Sequence, residues 1–138
     1  MNKTTIQEFL KQDKFAGLAG IELTEVGNGY ARAQMLITEN HLNGGGVCQG
    51  GAIFTLADLA FAAATNSHAR LTVSRTSNIN FFKSESEGVL YAEAREVLNH
   101  KHLANCEVKI TNEKNELIAT FTATGYRKDI LLPFDPIE

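Results

Sequence analysis

The chain has 138 residues, 43% hydrophobic and 21% charged, a balance that suits one globular domain with a substantial core. A net charge of −3 with no basic block argues against general nucleic-acid binding, and two cysteines are too few for a disulfide scaffold. The least polar stretch, Ala52 to Ala64, is only 13 residues long and contains Asp58, too short and too charged to span a bilayer. No secretory pattern is legible in the polar opening Met1-Asn-Lys-Thr-Thr, so a cytoplasmic location is expected.

In chain order, Thr4 to Lys14 reads as a short amphipathic helix with Ile6, Phe9 and Leu10 on one side. Thr5 as cap would put Glu8 in the capping-box position. Phe15 to Gly20 reads as a loop. Ile21–Val26 and Tyr30–Ile37 read as strands joined through Gly27-Asn28-Gly29, a strong hairpin signal. Thr38 to Gln49 is a long loop dominated by Gly44 to Gly46, and Gly50 to Asn66 is the main helix.

Alternation follows. Thr72–Phe82, Val89–Leu98, Leu103–Thr111 and Leu117–Tyr126 read as strands. Val73, Ser77, Ile79 and Phe81 fall near period two in the first. Leu90, Ala92, Ala94 and Leu98 share a side of the second, as do Ala104, Cys106, Val108 and Ile110 of the third and Leu117, Ala119, Phe121 and Ala123 of the fourth. Short turns make these strands antiparallel. Pro133 and Pro136 mark a tail outside the core. The class is α+β: an antiparallel sheet of five to six strands wrapped around one long central helix, in a single domain over 1–138 with its core at about 15–127.

Between positions 40 and 69 the only formal charge is Asp58, in a helix with almost no polar surface. Burying a carboxylate is costly unless something uses it. Helical spacing places Phe54, Phe61 and Ala62 beside it, and desolvation by them should raise its pKa above ~3.9. A raised carboxylate is a stronger base or nucleophile. The glycine-rich approach Asn43 to Gly51 leaves the N–H of Gly50 or Gly51 open at the helix start, where the dipole is positive, which suits an oxyanion. Asp58 lies eight residues past Gly50, roughly 12 Å along the axis. If both groups act on one carbonyl they must come from different subunits, so a homodimer with shared sites is expected. His41, His68, His100 and His102 match no common metal spacing, and no metal site is expected.

The segment His41-Leu-Asn43-Gly-Gly-Gly-Val-Cys-Gln49-Gly50-Gly51-Ala-Ile-Phe-Thr-Leu-Ala-Asp58-Leu-Ala-Phe61 resembles the active-site segment of hotdog-fold acyl-CoA thioesterases of the phenylacetate-degradation (PaaI-like) type. Asn78-Ile-Asn-Phe81, Leu90-Tyr-Ala-Glu-Ala-Arg95 and Ile118-Ala-Thr-Phe-Thr-Ala123 are similar to that family's sheet. The resemblance implies a hotdog fold, a dimer doubled into a tetramer, and cofactor-free hydrolysis of an aromatic or medium-chain acyl-CoA. It implies that Asp58 is nucleophile or general base, that the Gly50 N–H polarises the thioester carbonyl, that Asn43 helps place the attacking water, and that Thr76 stands close to the acid. Gln49 occupies the position of the family's usual histidine; its amide can donate a hydrogen bond but cannot titrate.

On this reading Gly51, Phe54, Phe61 and Phe81 line the acyl slot. Arg75 and Lys83 are candidates for the CoA phosphates, with Arg95, Lys101 and Arg127 as further basic positions. A non-catalytic acyl-CoA-binding module is the alternative from another class. A hotdog hydratase or dehydratase would need a histidine paired with an acid, and Gln49 removes the obvious one.

Overall fold

A computed structural model describes residues 4–138, Asn99 in backbone only. Its elements are α1 (Ile6–Leu10), α2 (Lys14–Leu18), β1 (Ile21–Gly27), β2 (Tyr30–Leu36), a 3-10 turn (Glu39–His41), α3 (Gly50–Asn66), β3 (Arg70–Phe81), β4 (Val89–Asn99), β5 (Leu103–Thr111) and β6 (Leu117–Leu131). The six strands form one sheet in the order β1-β2-β4-β5-β6-β3, and every neighbouring pair is antiparallel. The sheet wraps α3 and makes contact with it through all six strands. This is the expected hotdog arrangement, and the bounds of α3 are those read from the sequence. No described helix is long and apolar enough to cross a membrane.

Small residues on both partners let the helix sit close to the sheet. Ala57, Ala60, Ala63 and Ala64 of α3 are buried, as are Ala31, Ala33, Ala92 and Ala94 of the sheet. Phe121 on β6 is fully buried and holds the helix at its centre: the Phe54 ring meets it edge-on at 5.2 Å and the Phe61 ring lies at 6.3 Å. Gly125, two pleats further on, sits close to its neighbours; a methyl there would lie 3.0 Å from the Val73 carbonyl oxygen and 3.3 Å from the Phe61 ring.

Bulges explain where simple alternation misplaces residues. An irregularity between Glu96 and Leu98 turns Leu98 outward (47% exposed), so the inward series of β4 continues from Ala94 to Glu96. Another at the start of β6 leaves Leu117 exposed and buries both Ile118 and Ala119. A third between Ser74 and Thr76 accompanies an exposed Val73. An extra residue reverses side-chain parity, and an unaligned sequence does not mark it.

The segment before the sheet also departs from the simple reading. The Thr5 hydroxyl accepts from the Glu8 N–H at 3.1 Å as expected, but the first helix stops at Leu10. A second single turn, α2, then forms where a loop was expected, capped by Asp13, whose carboxylate accepts from the Ala16 N–H at 3.0 Å. The C-terminal tail is not idle: Phe134 is buried with Ile6 and Ala69 in a satellite cluster and packs on Phe9 at 5.8 Å.

The far end of α3 is closed by polar groups. The Arg127 guanidinium is buried and donates to the Thr65 carbonyl at 3.3 Å, the Glu96 carboxylate at 3.0 Å, the His100 carbonyl at 3.0 Å and the Thr72 hydroxyl at 3.1 Å. Ser67 donates to the Ala64 carbonyl at 2.7 Å and accepts from the Gly29 N–H at 2.9 Å. Arg127, one of the basic positions weighed for the CoA phosphates, thus ties the end of the helix to three strands.

Removing the ring at the centre of this packing tests it. Phe121→Ala should cost about 3–5 kcal/mol in urea unfolding. A loss below about 1 kcal/mol would show that the helix does not rest on that ring.

Candidate active site

The helix entrance is built by the loop before it. His41 is buried; its Nδ1 accepts from the Thr38 N–H at 2.9 Å, so its Nε2 carries the proton and donates to the Ala19 carbonyl at 2.6 Å. The imidazole thereby ties the loop to the end of α2. The Asn43 side-chain oxygen accepts from the N–H groups of Gly45 (2.9 Å) and Val47 (3.2 Å), and Gly46 closes the turn at φ +80°. The Gln49 N–H donates to the His41 carbonyl at 2.8 Å and the Cys48 N–H to the Glu85 carbonyl at 2.8 Å. The two N–H groups immediately before the helix are thus both bonded.

The bonding stops at the helix. Gln49 is the N-cap residue, but its side chain makes no capping bond. Among the described residues, the backbone N–H groups of Gly50 and Gly51 have no acceptor. They stand at the start of a 17-residue helix, where the positive end of the dipole favours a negative or polarised oxygen. A methyl at Gly50 would meet the Phe81 ring at 2.9 Å and one at Gly51 the Gln49 Oε1 at 2.9 Å, so a side chain at either position would have to displace that ring or that amide.

Two clefts flank this entrance. One, of about 420 Å³, is lined by Asn43, Gly50, Ile53, Phe81, Phe82 and Lys83 with their neighbours. The other, of about 330 Å³, is lined by Phe15, Leu18, His41, Gln49, Gly51 and Thr55 among others. The structure therefore brings Asn43, Gly50, Phe81 and Lys83 together, and Gln49 with Gly51. Lys83 is ion-paired with Glu116. Phe82, Phe15 and Leu18 are exposed apolar residues on these clefts that the sequence reading did not single out. The adjacent aromatic pair Phe81-Phe82 ending a strand was the available signal for the first. α2, a single turn with a glycine inside it, offered little signal for the other two.

Asp58 lies two turns further along α3. It is half-buried on the helix stripe not covered by the sheet, with Gly51, Thr55 and Ala62, while Phe61 is 2% exposed and belongs to the core. Among the described residues Asp58 has neither hydrogen bond nor ion pair; Arg70, a possible structural partner, is bonded to Asp129, and Arg75 is exposed. Burial pushes the Asp58 pKa up, and the negative charge of Asp13, the cap of α2, adds to the effect. Thr76 and Arg75 sit on β3, an edge strand, and line neither cleft. In one protomer Asp58, Thr76 and Arg75 are thus apart from the helix entrance.

No group of three or more His, Cys, Asp or Glu that could hold a metal occurs among the described residues. Cys48 and Cys106 are free and buried, and burial first, then the Glu96 charge, pushes the Cys106 thiol up to about 12.

A carboxylate whose folded pKa is raised contributes instability once ionised. Stability falls as pH rises from the ordinary value of 3.8 through the raised one, and stays lower above it. Asp58→Asn should therefore unfold no more easily than the parent at pH 7, and any advantage should vanish below the ordinary carboxyl value. A variant weaker by more than about 1 kcal/mol at pH 7 would reveal a structural partner for the acid.

Comparison with known proteins places this geometry. Residues 45–119 match the family model described as the thioesterase superfamily. A putative esterase of Archaeoglobus fulgidus is 42% identical over 118 residues, covering 85% of this chain and 77% of that protein. Acyl-coenzyme A thioesterase PaaI of Escherichia coli is 31% identical over 118 residues, covering 85% of this chain and 84% of that protein. The solved structure of E. coli PaaI, from the phenylacetic acid degradation operon, superposes with a TM-score of 0.88 at 28% identity, over 92% of this chain and 93% of that one. The helix entrance and its acid thus lie in a chain that belongs to the thioesterase superfamily, among its hotdog-fold PaaI-like members.

Proposed function

We propose that the protein hydrolyses acyl-CoA thioesters at sites shared between two copies of the chain. The observation that carries this reading is the pairing of two vacant helix-entrance donors with one unpartnered, half-buried carboxylate on the same helix. The acyl-coenzyme A thioesterase PaaI relative supports the substrate class.

The thioester oxygen accepts from the N–H of Gly50, with Gly51 and the Gln49 amide as neighbouring donors. These groups are fixed before the substrate arrives, so they stabilise the developing oxyanion without reorganising. The partner subunit's Asp58 either adds to the carbonyl carbon, giving an anhydride that water opens, or removes a proton from the water that attacks. Both routes break the carbon–sulfur bond and give the free acid and coenzyme A. Gln49 does not titrate, so proton transfer falls to the Asp58 carboxyl and solvent. Asn43, fixed by its loop bonds, lines the cleft beside Gly50 and is placed to orient the water.

Ile53, Phe81 and Phe82 give the cleft an apolar wall suited to an aromatic or medium-length acyl group, and Phe54 lies one turn along. Phe61, sealed in the core, has a packing role instead. Lys83 would exchange Glu116 for a CoA phosphate. Arg75 and Thr76 belong to the shared-site reading through β3. That strand is 12 residues long, lies at a sheet edge and is largely exposed, a surface that a second copy would cover by strand pairing. Doubling of this dimer into a tetramer, and a cytoplasmic location, complete the proposal.

Release of coenzyme A thiol from a panel of acyl-CoAs tests the reading. Asp58→Asn should lower kcat by about 10²–10⁴-fold while the protein still binds substrate. Activity of the parent should fall as pH drops through the raised Asp58 pKa. Binding of acyl-CoA by the parent with no thiol released would identify a binding module instead.

Gly50→Pro tests the donor. Proline suits the first position of a helix, and Gln49, at φ −64° and ψ 140°, already has the backbone that a following proline demands. The change deletes one N–H, displaces only the half-exposed Phe81 ring, and should reduce kcat by about 10²–10³-fold. Unchanged kcat in a folded variant would remove the Gly50 N–H from the mechanism.

A further inference from the structure

The far end of α3 carries a second concentration of charge that the thioester site does not use. An open cavity of about 320 Å³ is lined by His68, Arg70, His100, Lys101 and Arg127. These side chains come from the turn after α3, the start of β3, the turn between β4 and β5, and β6. No acidic residue lines the cavity among the described residues.

The carboxylates behind it are already engaged. Glu96 bonds Arg127 at 3.0 Å and His68 at 2.8 Å, and Asp129 pairs with Arg70. Lys101 is exposed and makes no ion pair among the described residues. Arg70, Lys101 and Arg127 thus set three permanent positive charges against those two carboxylates, on a chain whose net charge is −3. The Arg70 Nε is buried and has no acceptor among the described residues. The His100 Nδ1 accepts from the His102 N–H at 3.2 Å, which leaves its Nε2 to carry a proton. Arg127 is held rigidly by its bonds to Thr65, Thr72, His100 and Glu96, so its position costs no ordering when an anion arrives.

Capping the helix explains Arg127 but not the convergence of Arg70, His100 and Lys101 on the same opening. The Arg70 guanidinium, the Lys101 ammonium and the His100 imidazole N–H around one cavity, with the buried Arg127 guanidinium behind them as a fixed positive charge, match the several acceptor oxygens of a phosphate. We propose that this cavity is an anion site that takes a phosphate group, either as free phosphate or as the phosphate ester of a nucleotide such as coenzyme A. α3 separates it from the Gly50 entrance by roughly 25 Å, so within one protomer it is a separate site.

The test is titration of ¹⁵N-labelled full-length protein with inorganic phosphate and, separately, with coenzyme A, followed through backbone amides. Saturable shifts at His68, Arg70 and Lys101 are expected, with the Gly50 and Gly51 amides unmoved by phosphate. Lys101→Ser, in an exposed turn that leaves the fold intact, and Arg70→Gln should each weaken the phosphate response about three- to tenfold. Shifts with both probes would assign the nucleotide as occupant, as would shifts with coenzyme A alone; shifts with phosphate alone would assign a free anion. No saturable shift at these amides with either probe, or shifts that survive both substitutions undiminished, would overturn the proposal. The readout is binding at the far end of α3 and stands apart from whether Asp58→Asn abolishes turnover.

Discussion

Eight residues of α-helix separate the Asp58 carboxylate from the vacant N–H groups at the start of α3, and a helix does not shorten. Roughly 12 Å lies between their positions along the axis, more than an aspartate side chain can reach. The two halves of the proposed chemistry are built on one rigid element but kept apart by it. Two-fold pairing of two such helices, running in opposite directions, would set each acid beside the other's entrance, giving two equivalent sites from one sequence.

The rest of the structure maintains this helix and finishes its two ends differently. Alanines on both sides bring helix and sheet together, Phe121 packs against Phe54 and Phe61, and Gly125 leaves room for the Phe61 ring. At the far end, the Arg127 guanidinium, Ser67 and the Asn66 side chain, which donates to the Ala62 and Thr72 carbonyls, engage the backbone. At the near end the Cys48 and Gln49 N–H groups are bonded, and those of Gly50 and Gly51 have no acceptor among the described residues. The contrast matters because helix termini normally find partners. The Asp58 carboxylate, half-buried with no partner among the described residues, costs some stability when ionised, and the proposed thioester site would use both it and the open donors.

Much of this was legible in the sequence because the signals were strong. A glycine-rich loop running into a nearly uncharged helix fixed both bounds of α3, and the Asn28-Gly29 turn marked the first hairpin. Asp58 stood out as the only formal charge for some thirty residues, and the spacing from Asn43 through Gly50 to Asp58 carried the family resemblance. The missed features have weak local signatures. Bulges reversed the parity of Leu98 and Leu117. α2 has too few residues for periodicity to show. Phe61, three residues from Asp58, was placed near the acyl slot because helical spacing alone does not tell which side of α3 the sheet covers. Arg127 was grouped with the basic candidates for the CoA phosphates because its partners, Glu96 and Thr65, are distant in sequence.

Mixed protomers test the central claim most directly. Inactive Asp58→Asn and Gly50→Pro proteins, unfolded together and refolded as hybrids, should regain thioester hydrolysis. Each hybrid dimer would hold one site with both defects and one with neither, so up to half the parental activity per hybrid is expected. Hybrids shown to have formed but remaining as inactive as their parents would contradict a site shared between two chains.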